Sequence, residues 1–154
     1  MTNLAAARAL IDELRAAGVD DFCVCGGSRN APLIAALNVV AGFSPPMPAE
    51  AGIHIWSFVD ERSAAFFALG RAKLTGRPAA VVTTSGTAAA ELLPAAIEAY
   101  YSGVPLILIT ADRPARYRGT GAPQAIEQEG LFGIYATGSV RHINIEFDEP
   151  LIDE

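Results

Sequence analysis

Four short segments gather small residues, charges or hydroxyls: Gly26-Gly27-Ser28-Arg29, Asp60-Glu61-Arg62, Thr84-Ser85-Gly86-Thr87 and Ala111-Asp112-Arg113-Pro114. Each follows an apolar run. Glycine lets backbone approach a ligand closely, and the free N–H groups at a helix start favour an anion. Arg29 adds a planar fork that suits a carboxylate or a phosphate. Glu61 stands between the run ending at Val59 and the apolar stretch from Ala64 to Leu69. It reads either as a carboxylate complementing a helix N-terminus or as a hydrogen-bonding acid in a dry pocket. Thr84-Ser85-Gly86-Thr87 either caps a helix or brings backbone against a flat ring or an anion. The Gly26-Gly27 turn matches neither GxGxxG nor a phosphate loop, so taken singly each segment also has an ordinary structural use.

Helix and strand patterns alternate around these segments. They predict an α/β fold of three layers, a mainly parallel sheet with helices on both faces. Leu4, Ala7, Leu10, Ile11 and Leu14 mark one face of a first helix, with Asn3 as N-cap and Gly18 as stop. Phe22 to Cys25 reads as a buried strand, followed by a helix over about Asn30 to Val40 with Pro32 in its first turn. Ser44-Pro45-Pro46-Met47-Pro48 reads as a surface loop. Further strands are expected over Ile53 to Val59, Ala79 to Thr83 and Pro105 to Thr110. Helices are expected over Glu61 to Leu74 and, alanine-rich, from Ala88 to about Tyr101. Its residues Ala95, Ala96 and Ala99 suit either core packing or a subunit interface. A loop from Ala111 to Pro123, a short helix after Gln124 and a last strand around Arg141 to Phe147 complete the reading. Ligands of open parallel sheets bind beyond the carboxyl ends of the strands, so the four segments should share one edge.

The 154 residues suit one domain, read as 1–154, and 51% hydrophobic against 18% charged residues argues against disorder. A net charge of -6 argues against nucleic acid and anionic membrane as partners, with the group Arg113, Arg116 and Arg118 as a local exception. No apolar stretch approaches the roughly 20 residues of a membrane span, and the N-terminus does not read as a secretory signal. The expectation is a cytoplasmic protein. Cys23 and Cys25 read as buried strand residues pointing to opposite faces, with no mutual disulfide, and with His54 and His142 they give no zinc-ligand spacing.

Taken together, the segments resemble a known family in order and spacing. The matching stretches are Gly26 to Leu33, Val59 to Gly70, Thr83 to Ala90, Thr110 to Pro114 and Gly121 to Ile126. They resemble the pyrimidine-binding domain of the 2-succinyl-5-enolpyruvyl-6-hydroxy-3-cyclohexene-1-carboxylate synthases, thiamine-diphosphate enzymes of menaquinone biosynthesis. The resemblance implies decarboxylation of 2-oxoglutarate and joining of the product to isochorismate. It implies that Glu61 is the catalytic glutamate hydrogen-bonded to the cofactor's aminopyrimidine ring, and that Thr84, Ser85 and Gly86 line the cofactor. It places Ser28, Arg29, Arg113 and Gln124 on the dicarboxylate substrates. Thiamine diphosphate is the implied cofactor, with Mg²⁺ held by a diphosphate-binding domain whose Gly-Asp-Gly motif has no counterpart in this sequence. The implied partners are a second copy or a chain carrying that domain, without which this chain is expected to be inactive.

Three departures from the family pattern stand out. Pro123 replaces an asparagine, the stretch from Leu131 to Asn144 is short, and the family continues into two further domains after the segment matching Asp148-Glu149-Pro150-Leu151. A non-catalytic binding or assembly module, and the equivalent domain of an acetolactate-synthase-like enzyme, are the competing readings.

Overall fold

The computed structural model describes residues 1–41 and 52–152; the proline-rich segment read as a surface loop lies outside them. Five strands form one parallel sheet: β1 (Asp21–Cys25), β2 (His54–Phe58), β3 (Ala79–Thr83), β4 (Leu106–Asp112) and β5 (Val140–Glu146), in the order β2-β1-β3-β4-β5. β1, β3 and β4 are buried along their whole length, as strands covered on both faces should be. The chain builds outward in one direction from β1 to β2 and in the other from β1 through β3 to β5. The order therefore reverses between β1 and β3, where a crevice opens at the carboxyl ends.

Helices α1 (Asn3–Ala16) and α2 (Ala31–Ala41) cover one face, and α3 (Glu61–Thr75), α4 (Thr87–Ala90) and α5 (Leu93–Ser102) complete the set, with α3 and α5 on the other. Ala7, Ile11 and Leu14 of α1 pack with Phe22, Val24, Val82 and Ile109 of the strands. Across the sheet, Ala65, Ala68 and Ala72 of α3 meet Ala95, Ala96 and Ala99 of α5 over Val81, Leu106 and Leu108. Small residues at these positions let the two helices approach closely. The alanine face thus serves the core.

Several elements differ from the sequence reading, each for a local reason. Thr2 caps α1, its hydroxyl accepting from the Ala5 N–H at 3.1 Å. Asn3 instead donates to the carbonyls of Asp148 and Pro150. The alanine-rich helix is two helices, because Pro94 has no N–H to give and its ring would strike the carbonyl of Ala90, where α4 ends. β4 runs two residues further than expected, to Asp112, because β5 pairs with it that far, Asp112 opposite Glu146. Gln124 takes a left-handed φ of 55°, and turns lead from it to a short 3-10 helix at Gly133–Ala136, so the short helix expected after Gln124 is a 3-10 rather than an α-helix among the described residues.

Cys23 and Cys25 point to the same face, not to opposite ones, since side chains alternate with a period of two along a strand. Both thiols are free and buried against α3. Burial pushes Cys23 up to about 12, with Asp21 and Cys25 adding to it. Burial, then the charges of Glu61 and Asp60, push Cys25 up to about 11. A thiol held protonated in the fold contributes stability that is complete below its unfolded value of 9.0 and is lost as pH rises toward 11 and 12. Denaturation midpoints measured from pH 8 upward should therefore fall above pH 9, by about 1 kcal/mol per pH unit or more. The double alanine variant should lose much of that slope. A slope equal to that of the wild type would mean that other groups carry it.

Candidate functional site

The parallel order brings the four segments to one edge. Asp60 caps α3 through a 2.6 Å bond from the Ser63 N–H, and hydrogen bonds from Ser63 hold its carboxyl below the ordinary range. This cap starts the helix at Glu61, so the Glu61 side chain leaves from the first helical position, beside the carboxyl end of β1. Next to it, Gly27 packs on Thr84: a Cβ at Gly27 would lie 2.6 Å from the Thr84 Cβ, so no larger residue fits without displacing the turn. Asn30, fully buried, ties the same turn down by accepting from the Gly27 N–H at 2.9 Å and donating to the Cys25 carbonyl at 2.8 Å.

Between these turns lies a cleft of 510 Å³. Asp60, Glu61 and Arg62 line one side; Thr84, Thr87, Ala88, Glu91 and Gln124 line the rest. Glu61 is half-buried, and its carboxylate has no hydrogen bond or ion pair among the described residues. A carboxylate at a helix start with free lone pairs, facing hydroxyls and an amide, suits a flat, polar-edged heterocycle that donates hydrogen bonds. The cleft holds three carboxylates against the one arginine, so it is poorly matched to a polyphosphate.

The other candidates fall into different places. Gly86 has φ 84°, and a Cβ there would come within 2.9 Å of the Gln124 side chain, so Gly86 and Gln124 are in close contact. The Gly86 N–H goes to Gln128 and its carbonyl to the Ala89 N–H, which leaves close approach as what Gly86 offers. Ser85 is buried behind Gln124, whose Nε2 donates to the Ser85 carbonyl at 3.2 Å. Ser28 is exposed at the end of the first turn. Arg113 donates to the Pro123 carbonyl and stacks over the Tyr117 ring, outside the cleft lining.

Arg29 is 4% exposed and spends its guanidinium within the chain, on the Phe147 carbonyl at 2.9 Å and on Glu149 at 3.0 Å. It clamps the segment after β5, which Arg116 holds again through both oxygens of Asp148. The local arginine group is thus internally paired, with Arg118 on Glu146 at 2.7 Å and on Asp112. Glu91 was not legible as a cleft residue, because the break before Pro94 sets where it faces. Gln128 was not legible either: nothing local marks it, and its partners lie on three other segments.

Comparison with known proteins gives the family. Residues 4–131 match the family described as thiamine pyrophosphate enzyme, N-terminal TPP binding domain. A protein of Akkermansia muciniphila named 2-succinyl-5-enolpyruvyl-6-hydroxy-3-cyclohexene-1-carboxylate synthase is 55% identical, over 96% of this chain and 25% of its own length. Proteins of the same name from Bdellovibrio bacteriovorus and Halobacterium salinarum are 45% and 53% identical, covering 99% and 82% of this chain and 31% and 20% of their own. The chain therefore spans about a third or less of the length of these relatives. It belongs to the thiamine pyrophosphate enzymes, through their N-terminal TPP binding domain.

Proposed function

We propose that this chain is the pyrimidine-binding domain, 1–154 and shortened near its C-terminal end, of a synthase that joins decarboxylated 2-oxoglutarate to isochorismate in menaquinone biosynthesis. The observation that carries the reading is the name shared by relatives 45–55% identical along nearly the whole chain. The cleft supports it: the free Glu61 carboxylate and the small-residue turns fit the aminopyrimidine half of thiamine diphosphate. Among the described residues there is no cluster of three or more His, Cys, Asp or Glu side chains able to hold a metal. In this reading diphosphate and Mg²⁺ belong to a second domain, on the same polypeptide or on a partner, and the cofactor lies between the two.

When bound, thiamine diphosphate supplies the electron sink for decarboxylation and carbon–carbon bond formation. This chain's residues do the rest on their side. Glu61 holds a proton between its carboxylate and the pyrimidine ring edge, which orients the ring and sets its protonation. Thr84 faces the ring directly, Gln124 closes one wall over it, and Ser85 and Gly86 support that wall from behind. Ser28, Arg29, Arg113 and Gln124 serve the dicarboxylate substrates. For Arg29 this requires release of Glu149, whose carboxylate holds the place a substrate carboxylate would take. The proposed place of action is the cytoplasm. Among the described residues no helix is long and apolar enough to cross a membrane.

The test is calorimetric titration of thiamine diphosphate with Mg²⁺ into this chain alone and into the chain assembled with a diphosphate-binding domain. Negligible heat alone, micromolar binding when assembled, and turnover with 2-oxoglutarate and isochorismate but not with pyruvate are expected. An assembly that binds no cofactor, or that prefers pyruvate, overturns the reading.

A further inference from the structure

Gln128 is fully buried and belongs to no regular element, yet its side chain ties three strand ends together. Its Oε1 accepts from the Gly86 N–H, just beyond β3, at 2.8 Å. Its Nε2 donates to the Ala111 carbonyl of β4 at 3.2 Å and to Asn144 Oδ1 of β5 at 2.8 Å. Both donors and the acceptor of the amide are used. Such a buried, fully satisfied amide defines a single arrangement of its partners, because each would be left unpaired if it moved.

The first of those partners governs the cleft. Gly86 has so little room that its Cα-bound hydrogen side faces Gln124 directly, with a Cβ there only 3.1 Å from the Gln124 Cα. Gln124 in turn bonds back to the Ser85 carbonyl. Ser85, Gly86 and Gln124 therefore shift as one body, and that body carries the wall across the cleft from Glu61.

We propose that Gln128 is the positioning residue of this cleft: by holding the Gly86 peptide it sets how closely the Gln124 wall approaches a flat heterocycle bound at Glu61. The inference rests on the proposed function, since the ring is taken to be the aminopyrimidine of thiamine diphosphate. Gln128 touches neither ring nor substrate and acts through Gly86.

The experiment compares two variants of the assembled synthase. Gln128→Met keeps the side-chain length and removes all three hydrogen bonds. Asp21→Ala removes a buried carboxylate at the opposite end of β1, where it accepts from Trp56 Nε1 and Arg71, and serves as a destabilised control. Cofactor affinity, thermal midpoint and kcat are measured for each. Gln128→Met is expected to weaken thiamine diphosphate binding about tenfold or more, the scale of one buried hydrogen bond, while Asp21→Ala binds within about twofold of the wild type. At saturating cofactor, Gln128→Met should recover most of its kcat. If the two variants lose affinity in step with their thermal midpoints, the role is structural and the proposal is overturned. Should Gln128→Met not fold, Gln128→Asn, one methylene shorter, makes the same comparison. A wild-type assembly that binds no thiamine diphosphate would overturn the proposed function itself, and this inference with it.

Discussion

Glu61→Gln is expected to lower turnover of the assembled synthase by about 10²- to 10⁴-fold, the range spanned by a positioned proton-transfer group. The same variant should keep its fold. Glu61 occupies the first turn of α3, is half-buried, and has no hydrogen bond or ion pair among the described residues, so glutamine fits the same space. What is lost structurally is the attraction between a carboxylate and the helix N-terminus, about 0.3–1 kcal/mol at an exposed site. Asp60 remains to cap the helix. The thermal midpoint should thus fall by no more than about 4 °C for a domain of this size. The separation of the two readouts is the informative part. An amide still forms hydrogen bonds to a ring edge but neither shares nor supplies a proton. Cofactor binding should accordingly weaken far less than turnover. Turnover near the wild-type rate would remove Glu61 from the chemistry and leave it as a helix-dipole residue.

How much of this was legible beforehand depended on whether the determining contact was local. The edge carrying the four turns followed from apolar runs that each end in small or charged residues, and β1, β3 and β4 are where those runs stand. Glu61 and Thr84 came together in the cleft as topology required, because both follow strands flanking or adjoining the switch between β1 and β3. Arg29 shows the other case. Its neighbours in sequence suggested a free fork beside a glycine turn, but its partner carbonyl, that of Phe147, is 118 residues away. Nothing in the turn itself announces such a clamp. Gln128 is further still from legibility, a polar residue in a polar, glycine-containing stretch whose burial arises only when β3, β4 and β5 are side by side. The segment after Gln124 shows the same limit: its backbone closes local turns, Leu131 N–H to Gln128 and Gly133 N–H to Gly130, while the Gln124 and Gln128 side chains reach other segments.

Asp112→Ala is expected to destabilise the fold by about 3 kcal/mol, because it leaves half-buried donors without an acceptor. Asp112 is 1% exposed at the end of β4. One of its oxygens accepts from the Arg113 N–H at 2.7 Å, and the other from Asn144 Nδ2 at 2.9 Å and from Arg118 at 3.4 Å. Arg118 keeps Glu146 at 2.7 Å, so its charge is not abandoned and the cost stays below that of fully orphaning a buried ion. Among the described residues the Arg113 N–H and the Asn144 amide have no such second acceptor, and each then bears a desolvation cost of about 1–3 kcal/mol. For a domain of this length the loss corresponds to a fall of roughly 6–12 °C in thermal midpoint. Asp112→Asn, which keeps the shape and one acceptor, should cost distinctly less. The network continues from Asn144 into Gln128 and so to Gly86, which makes the loss at Asp112 audible at the cleft: cofactor affinity should fall in Asp112→Ala as well, by less than in Gln128→Met. An alanine variant as stable as the wild type would mean that water replaces the carboxylate without strain, and that β5 is held well enough by its backbone pairing with β4 and by Gln128 and Arg118.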